Sequence, residues 1–414
     1  MKITGAEIKI IKDSRGQDTL EANLISGNFS AVASCPSGKS RGAHEAFVLE
    51  PKLAIKKFET IKSQVLSRDF ENQGEFDGFL INLDGTPDKR NFGGNLILVL
   101  SLAFARLKAR EEKKELFEYI QSVQLIKPPV FYSANFLHPV FNVINGGVHV
   151  HPPKFPEGKL GRARNILTFQ EFQIIPQVKD FGMALGFGQE FYKKLKEFLE
   201  QKFGKENLSL GDEGGFSANF ESDEEAIEIL SEIIKKYDYP IRIGLDVAAS
   251  QFQKGENYVI GGKNYSPEEL KDFYSRLIKT FDILSIEDPF GEENFDDFAR
   301  LSGEIISNGK LVIADDLTTT NPGRLKTAIE KKSGNAILIK LNQIGTLTET
   351  LNVVKMAYEN NWQAVVSHRS GETMDDFIAD LAVGIGAWGF KSGAPYPPER
   401  MVKYERVLKI IQGS

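Results

Sequence analysis

The stretch LVIADDLTTTNPGRLKTAIEKKSGNAILIKL (residues 311–341) holds two short apolar runs on either side of one amphipathic segment. LVIA and ILI have the apolar, β-branched residues of buried strands, and the NP pair at Asn321 is a typical helix start. Asp315 and Lys340 stand where the two apolar runs end. The stretch therefore predicts a strand, a helix and a second strand, with a charged side chain closing each strand.

The same unit recurs from about residue 135 onward, and the later strand ends, from Glu287 to Lys391, lie roughly 25 residues apart. The runs are FNVI (141–144), IRIGLD (241–246), DILSIED (282–288), LVIAD (311–315), ILIKL (337–341) and AVVSH (364–368). An open doubly wound sheet would share this rhythm, but no GxGxxG turn opens a helix here. We therefore predict an α/β fold of the (β/α)8 TIM-barrel type.

A smaller region precedes the barrel. ITGAEIKIIKD, TLEANLI and FSAVASC are alternating apolar runs separated by turn residues, which predicts an antiparallel meander. Helical patterns follow, up to a KPP at 127–129 that cannot continue a helix. We therefore predict a smaller α+β N-terminal domain over residues 1–133 and a barrel domain over residues 134–414.

Composition excludes several classes of function. A formal net charge of -6 argues against a general nucleic-acid binder, which needs a basic face to displace counterions. Cys35 is the only cysteine, so no intrachain disulfide forms. The sequence has neither a signal-peptide core nor an apolar run of about 18 residues. We therefore expect a cytoplasmic protein that has no membrane or nucleic-acid partner.

Reactive side chains close the predicted strands: Asp246, Glu287, Asp315, Lys340, His368 and Lys391. In a barrel these ends converge on one mouth, where active sites are built. Three carboxylates there would repel one another unless a cation lies among them, and their oxygens suit Mg²⁺. We therefore predict a divalent metal bound by Asp246, Glu287 and Asp315. The alternative is that the two aspartates cap helices while Glu287 pairs with a lysine.

The two lysines suggest proton abstraction. Lys340 ends an apolar strand, where its charge is costly to bury unless it is paired or suppressed. Beside Lys391 and a metal its ammonium form is disfavoured, so we expect a free amine that removes a proton next to a carboxylate. The metal and a cationic Lys391 would stabilise the resulting enediolate.

Two loops complete this chemistry. GDEGGF (211–216) is glycine-rich and presents Glu213 as a general acid for loss of a hydroxyl, the alternative being a plain turn. SHRSGET (367–373) sets Arg369 and Ser370 just past a strand. An arginine fork, a hydroxyl and the N-terminus of the next helix would form a phosphate seat. We therefore expect a phosphorylated substrate.

At this point the chain resembles the enolase family, the phosphopyruvate hydratases, over nearly its whole length. The matching motifs are DSRG (13–16), PSG (36–38), GAHEA (42–46), LDGT (83–86), NGG with His149, QEF (170–172), GDEGG (211–215), IGLD (243–246), SIEDPF (285–290), ADDLTTTNP (314–322), LIKLNQIGTLTE (338–349), SHRSGET (367–373) and KSGAP (391–395). The resemblance implies a hydro-lyase of glycolysis and gluconeogenesis. Such an enzyme reversibly dehydrates 2-phospho-D-glycerate to phosphoenolpyruvate with two Mg²⁺ ions, as a homodimer or higher homo-oligomer.

The resemblance also implies a role for each matching residue. Asp246, Glu287 and Asp315 of the catalytic barrel would bind the first metal. Ser40, in a mobile metal-binding loop of the N-terminal capping domain, would help bind the second. Lys340 would be the base and Glu213 the acid, with Glu171 supporting that acid. The residues implied to surround the substrate are Gln170, His149, Lys340, Arg369, Ser370 and Lys391, of which His149 and Lys391 also count as catalytic.

The chain departs from the family in two places. SGKSRG (37–42) carries Lys39 and Arg41 around Ser40, where small residues are usual, and these cations either strengthen attraction of an anion or hinder loop closure. An insertion over residues 150–169 forms either an altered lid or a solvated loop. The first departure leaves open a superfamily sibling that acts on a related phosphorylated or phosphonate acid.

A metal-dependent hydrolase is a third reading. His149 and His151 form an HxH after the first barrel strand, as in the binuclear sites of amidohydrolase-like enzymes. Those sites need further histidines on later strands, and only His368 lies downstream. A scaffold with a vestigial site is also disfavoured, because Glu213, Lys340 and the three metal carboxylates are all present.

Overall fold

The computed structural model describes residues 1–39, 42, 44–124, 137–149 and 167–413. Its N-terminal region begins with β1 (Gly5–Lys12), β2 (Asp18–Ser26) and β3 (Phe29–Ser34), which pair antiparallel in that order. Alternate residues such as Leu20, Ala22 and Leu24 are fully buried, because one face of the sheet covers the core. The predicted meander is confirmed.

Four helices follow, α1 (Pro51–Ser67), α2 (Gln73–Asp84), α3 (Gly94–Glu111) and α4 (Leu116–Val123), and α1 and α3 pack against the sheet. Helix α3 is apolar on most faces, and nearly all of its residues are buried. It packs against β2 and β3 on one side and against barrel elements on the other. An all-round apolar helix is expected where a helix lies between two layers.

Eight later strands close into a barrel, and two short strands extend the same sheet. The barrel strands are β4 (His138–Asn145), β5 (Glu171–Pro176), β8 (Ile241–Asp246), β12 (Ser285–Glu287), β13 (Leu311–Ala314), β14 (Ala336–Ile339), β15 (Gln363–Ser367) and β16 (Gly389–Lys391). The two strands that extend the barrel sheet are β6 (Ser209–Leu210) and β7 (Phe216–Ser217). A separate three-stranded sheet contains β9 (Gln253–Lys254), β10 (Asn257–Ile260) and β11 (Lys263–Tyr265). Pairing of β16 with β4 closes the ring, so the predicted barrel is confirmed.

Helices surround the barrel: α5 (Phe181–Phe203), α6 (Asp223–Tyr237), α7 (Pro267–Phe281), α8 (Phe295–Ile305), α9 (Pro322–Lys331), α10 (Leu341–Ile344), α11 (Leu347–Glu359), α12 (Phe377–Ile385) and α13 (Pro398–Gln412). The predicted start of α9 is confirmed, since the Asn321 side chain accepts from the backbone N–H groups of Gly323 and Arg324. Within the described ranges, none of the helices is both long and apolar enough to span a bilayer.

The second barrel strand departs from the predicted repeat. β5 is the next described strand after β4, and it runs antiparallel to both β4 and β8. Its first residue, Glu171, therefore lies opposite Asp246, the last residue of β8. This antiparallel strand was not among the predicted apolar runs. The reversal brings the start of β5 to the edge where the other strands end.

The barrel interior is apolar below its charged mouth. Alternate residues of β13 separate into two groups: Leu311 and Ile313 join a cluster made by the barrel strands, while Val312 and Ala314 pack with the surrounding helices. This alternation is typical of a filled barrel. Among the described barrel residues, charged groups reach the centre at the strand ends, so we place the site at that edge.

Candidate active site

The predicted strand-end residues converge at the barrel mouth. Asp246, Glu287 and Lys391 are the last residues of their strands, and each is at most 2% exposed. The other three follow their strands directly: Asp315, Lys340 and His368. Because these strands are parallel and in register, local strand patterns place the six side chains on one edge.

Lys391 is the centre of a carboxylate cluster. Its Nζ lies 2.9 Å from Glu171 Oε2, 3.0 Å from Asp246 Oδ2 and 3.0 Å from both oxygens of Glu287. Burial alone would lower the pKa of Lys391, but Asp246, Glu171 and Glu287 outweigh burial and hold that pKa well above its ordinary value. Lys391 is therefore a fixed cation, as predicted from the sequence.

Lys340 is paired with Asp315, whose Oδ2 accepts a hydrogen bond from the lysine Nζ. Burial lowers the pKa of Lys340, yet the adjoining Asp315 carboxylate outweighs it, so this pKa lies above its ordinary value. The same pairing overcomes burial at Asp315 and lowers the pKa of that carboxyl. The side chains alone therefore favour the ammonium form, and the free amine, which was expected beside a bound metal, stays a prediction.

Carboxylates outnumber cations at the mouth. Among the described residues that line this cavity, seven are carboxylates and four are lysine or arginine. Burial, together with Asp246 and Asp315, raises the pKa of Glu287 well above its ordinary value, and burial with Asp315 raises the pKa of Asp316 to about 7. Unbalanced buried negative charge and all-oxygen donors fit a divalent cation.

A second acidic group adjoins the predicted metal ligands. Oxygen atoms of Asp288, Asp315 and Asp316 lie within 4.8 Å of one another. Both oxygens of Asp288 already accept backbone N–H groups, from Asp315 at 3.0 Å and Asp316 at 2.6 Å. Asp288 therefore orients the Asp315 loop. Sequence reasoning missed Asp288 and Asp316, although both adjoin strand-end carboxylates in SIED and ADD.

Glu213 is held by two side chains that the sequence analysis left without a role. Its Oε2 accepts from Asn142 Nδ2 at 2.9 Å and lies 3.3 Å from His368 Nε2. Glu171 is a close neighbour, since burial and then Glu213 raise the pKa of Glu171 well above its ordinary value. Burial and Glu213 thus favour the protonated form of Glu171, and a proton available beside Glu213 suits a general acid.

The predicted phosphate seat is partly formed. The Arg369 fork is bidentate to Glu45, at 3.1 and 3.2 Å, and Ser370 Oγ accepts from the backbone N–H of Lys39 at 2.8 Å. Arg369 thus binds the Glu45 carboxylate through two hydrogen bonds, and a guanidinium binds a phosphate in the same way. Glu45 was not predicted, and its only signal was the GAHEA motif.

One part of that prediction is wrong. The helix after Ser370 begins only at Phe377, and its first N–H donates to Asp375 Oδ1 at 2.9 Å. Asp375 in turn pairs with Arg106 of α3. The helix N-terminus therefore already holds a carboxylate and serves as a contact between the two regions.

Gln170 and Lys39 also line the cavity at the mouth. Gln170 Nε2 donates to Asp246 Oδ2 at 3.3 Å, and Lys39 Nζ is 3.3 Å from Asp212 Oδ2. The backbone of His149 ends a short 3-10 turn, Gly147–His149. Ser40, Arg41, His151 and most of the insertion lie outside the described residues, so their predicted roles stay predictions.

Comparison with known proteins agrees with this geometry. The models of the enolase N-terminal domain and of the enolase C-terminal TIM barrel domain match residues 3–120 and 135–413. The chain is 39% identical to an enolase of Methanocaldococcus jannaschii and 40% identical to one of Methanococcoides burtonii, each over 97% of this chain and 92% of the relative. It is also 39% identical to enolase B of Dictyostelium discoideum, over 99% of this chain and 94% of the relative.

The chain belongs to the enolase family. The predicted resemblance is thereby confirmed, together with a TIM barrel preceded by a separate N-terminal domain. Residues 125–136, where we place the domain boundary, lie outside the described residues, so the boundary at 133 stays a prediction. Membership in the family brings dependence on a divalent metal and a small phosphorylated substrate, both of which suit the acid-rich mouth and its paired lysines.

Proposed function

We propose that this hydro-lyase interconverts 2-phospho-D-glycerate and phosphoenolpyruvate at the barrel mouth, with Lys340 as the base and Glu213 as the acid. One observation carries the proposal: Lys391 joins Glu171, Asp246 and Glu287 in a single buried cluster. Glu171 interacts electrostatically with Glu213 as well as with this cluster. Asp315 interacts in the same way with both Lys391 and Lys340. A proton donor and a proton acceptor thus adjoin one shared electrostatic centre.

Lys340 must lose a proton before it can act as the base, and Asp315 stabilises its protonated form. Asp246, Glu287 and Asp315 would hold Mg²⁺, which when bound supplies positive charge that stabilises an enediolate. Ligand roles for Asp315 and Glu287 would weaken the two contributions that raise the pKa of Lys340 and would leave burial, Arg369 and Lys391, which lower it. Lys340 then accepts the proton from the carbon next to the substrate carboxylate.

Glu213 acts on the neighbouring carbon. Its Oε2 accepts hydrogen bonds, so the proton that leaves with the hydroxyl is carried on Oε1, and Glu171 beside it holds the pair in a singly protonated state. Loss of the hydroxyl as water then leaves Glu213 ionised. Lys391 stays cationic and offsets charge that develops on the substrate carboxylate.

The substrate phosphate would take the place of Glu45 on Arg369, beside Ser370. His149 and Gln170 would complete the substrate site, and Ser40 would help hold a second Mg²⁺ ion. These roles, a homodimer or higher homo-oligomer, and a cytoplasmic location remain proposals that rest on the family resemblance.

Isotope exchange separates the two proton transfers. In D₂O, the unmodified protein should exchange the C2 hydrogen of 2-phosphoglycerate and form phosphoenolpyruvate, both followed by NMR. Glu213→Gln should retain exchange while losing product, because only the acid is removed, and Lys340→Ala should lose both. Lys310→Ala, at the opposite end of the barrel, is the matched control. Exchange by Lys340→Ala at the rate of the unmodified protein would exclude Lys340 as the base.

A further inference from the structure

Arg400, on α13, is fully buried beneath the active site. Its Nη1 lies 2.6 Å from His368 Nδ1 and donates to the carbonyl oxygen of Arg369 at 2.7 Å. Its Nη2 donates to the carbonyl oxygens of Ser370 at 2.8 Å and Asp212 at 3.0 Å. The guanidinium therefore joins the loop that carries the acid to the loop that carries the substrate seat.

The contact with His368 determines where that imidazole carries its proton. A guanidinium has only donors and keeps its charge in proteins, so the facing Nδ1 must be an acceptor. His368 is then neutral, with its proton on Nε2, and Nε2 is directed at Glu213 Oε2, 3.3 Å away. A proton on Nδ1 would point at a cation and leave Nε2 unable to donate.

The tautomer of His368 affects Glu213, which His368 contacts through Nε2. Its Oε2 accepts from Asn142 at 2.9 Å as well as from His368, so a proton on that oxygen would clash with two donors. We propose that Arg400 is a positioning residue that selects the tautomer of His368 and, through it, the oxygen on which Glu213 carries its catalytic proton. This inference rests on the proposed role of Glu213 as the acid.

Close packing around Gly393 supports the positioning role of Arg400. Gly393 has a φ of +73°, and a Cβ there would lie 2.7 Å from the carbonyl oxygen of Glu213 and 3.2 Å from both Arg400 Cδ and His368 Cε1. A glycine is required because the backbone passes this close to three members of the chain of contacts. Burial also lowers the pKa of His368 to about 4, in keeping with a neutral ring.

Nitrogen NMR tests the tautomer without any need for turnover. The chain has five histidines, so ¹⁵N-histidine labelling gives a simple spectrum, and His368→Gln identifies the relevant signals. We expect His368 in the unmodified protein to be neutral, with its proton on Nε2, throughout pH 6–8. A proton on Nδ1, or a doubly protonated ring at pH 7, would overturn the proposal. Because this readout uses no substrate, it stands even if the protein fails to dehydrate 2-phosphoglycerate.

A double-mutant cycle then tests the coupling. In Arg400→Gln the amide oxygen can accept from Nδ1–H, so the wrong tautomer becomes accessible, and we expect kcat to fall at least about tenfold. In the His368→Gln background no tautomer choice exists, and the same change should cost less than about threefold. Equal losses in both backgrounds would show that Arg400 only supports the fold.

Two further variants complete the cycle. Arg400→Lys still places a donor without an acceptor near Nδ1, so it should keep the Nε2–H signal and lose less kcat than Arg400→Gln. Arg406→Gln removes a cation of the same helix that pairs with Asp380, away from the site, and should leave kcat unchanged. A loss of kcat in Arg406→Gln equal to that in Arg400→Gln would contradict the positioning role.

Discussion

Replacing Lys391 with methionine should destabilise the protein strongly, in a way that depends on pH. The lysine Nζ lies within 3.0 Å of Glu171, Asp246 and Glu287, all of which are at most 2% exposed. Methionine fills similar space but leaves three buried carboxylates without their cation. Removal of one partner of a buried ion pair costs about 3–5 kcal/mol, and three affected partners place the loss near the upper end.

The sign of the pH dependence follows from the carboxylates. Burial and mutual repulsion already raise the pKa values of Glu171 and Glu287 above their ordinary values, and loss of Lys391 raises them further. A carboxyl whose pKa is higher in the folded state contributes stability at low pH and loses it as the pH rises. The difference between variant and unmodified protein should therefore be largest near pH 8 and should shrink toward pH 5.5.

Urea unfolding in EDTA at pH 8 and pH 5.5 measures both quantities. Lys403→Met is the matched control, since Lys403 is equally buried but pairs with one carboxylate, Glu372, at 3.1 Å. We expect this control to lose less free energy of unfolding and to show a weaker pH dependence. A loss below about 1 kcal/mol for Lys391→Met at pH 8, or the same loss at both pH values, would refute the reasoning.

Three further outcomes are expected. Lys39→Ala should raise KM, most at low ionic strength, because Lys39 adds a partly exposed cation to the mouth; an unchanged or lower KM would instead mean that Lys39 hinders closure. Burial raises the pKa of Asp223 to about 6. Ionisation of this carboxyl should therefore lower the free energy of unfolding by about 3 kcal/mol as the pH rises from 4 to above 6. Asp223→Asn should flatten the fall in unfolding free energy between pH 5 and 7.5, and parallel curves would contradict this. Mg²⁺ should raise the melting temperature more than NaCl of equal ionic strength, and Asp315→Asn should abolish the difference.

Local sequence patterns were enough to locate most of the site. An apolar run of four to six residues ends where a charged residue would have to be buried, and a cap such as Asn321 then starts the next helix. Those two signals depend on neighbouring residues only. They therefore predicted the strand ends at Asp246, Glu287 and Lys391.

Features that depend on tertiary contacts escaped prediction. The antiparallel direction of β5 follows from its pairing with β4 and β8, and the residues of the strand do not indicate its direction. The ammonium form of Lys340 reflects Asp315, a residue 25 positions away, and the occupied fork of Arg369 reflects Glu45, 324 positions away. The spacing of residues along the chain does not predict which charged side chains pair at the barrel mouth.

A capping motif shows the same limit at shorter range. The SDEE start of α6 predicts a reciprocal capping box between Ser222 and Glu225. Ser222 does accept from the backbone N–H of Glu225 at 3.1 Å, but the Glu225 side chain accepts from the N–H of Glu221, at 2.6 Å. The residue types were right, yet the prediction of the second bond was wrong, because the backbone before the helix brings Glu221 nearer.

Turnover of 2-phosphoglycerate by the purified protein tests the proposed function most directly. With Mg²⁺ present, we expect the ultraviolet absorbance of phosphoenolpyruvate to appear, and we expect Lys340→Ala to give no signal. EDTA should abolish the signal of the unmodified protein, because the carboxylates at the mouth would lose their cation. No turnover by folded protein that binds Mg²⁺ would contradict the assignment of this site to enolase chemistry.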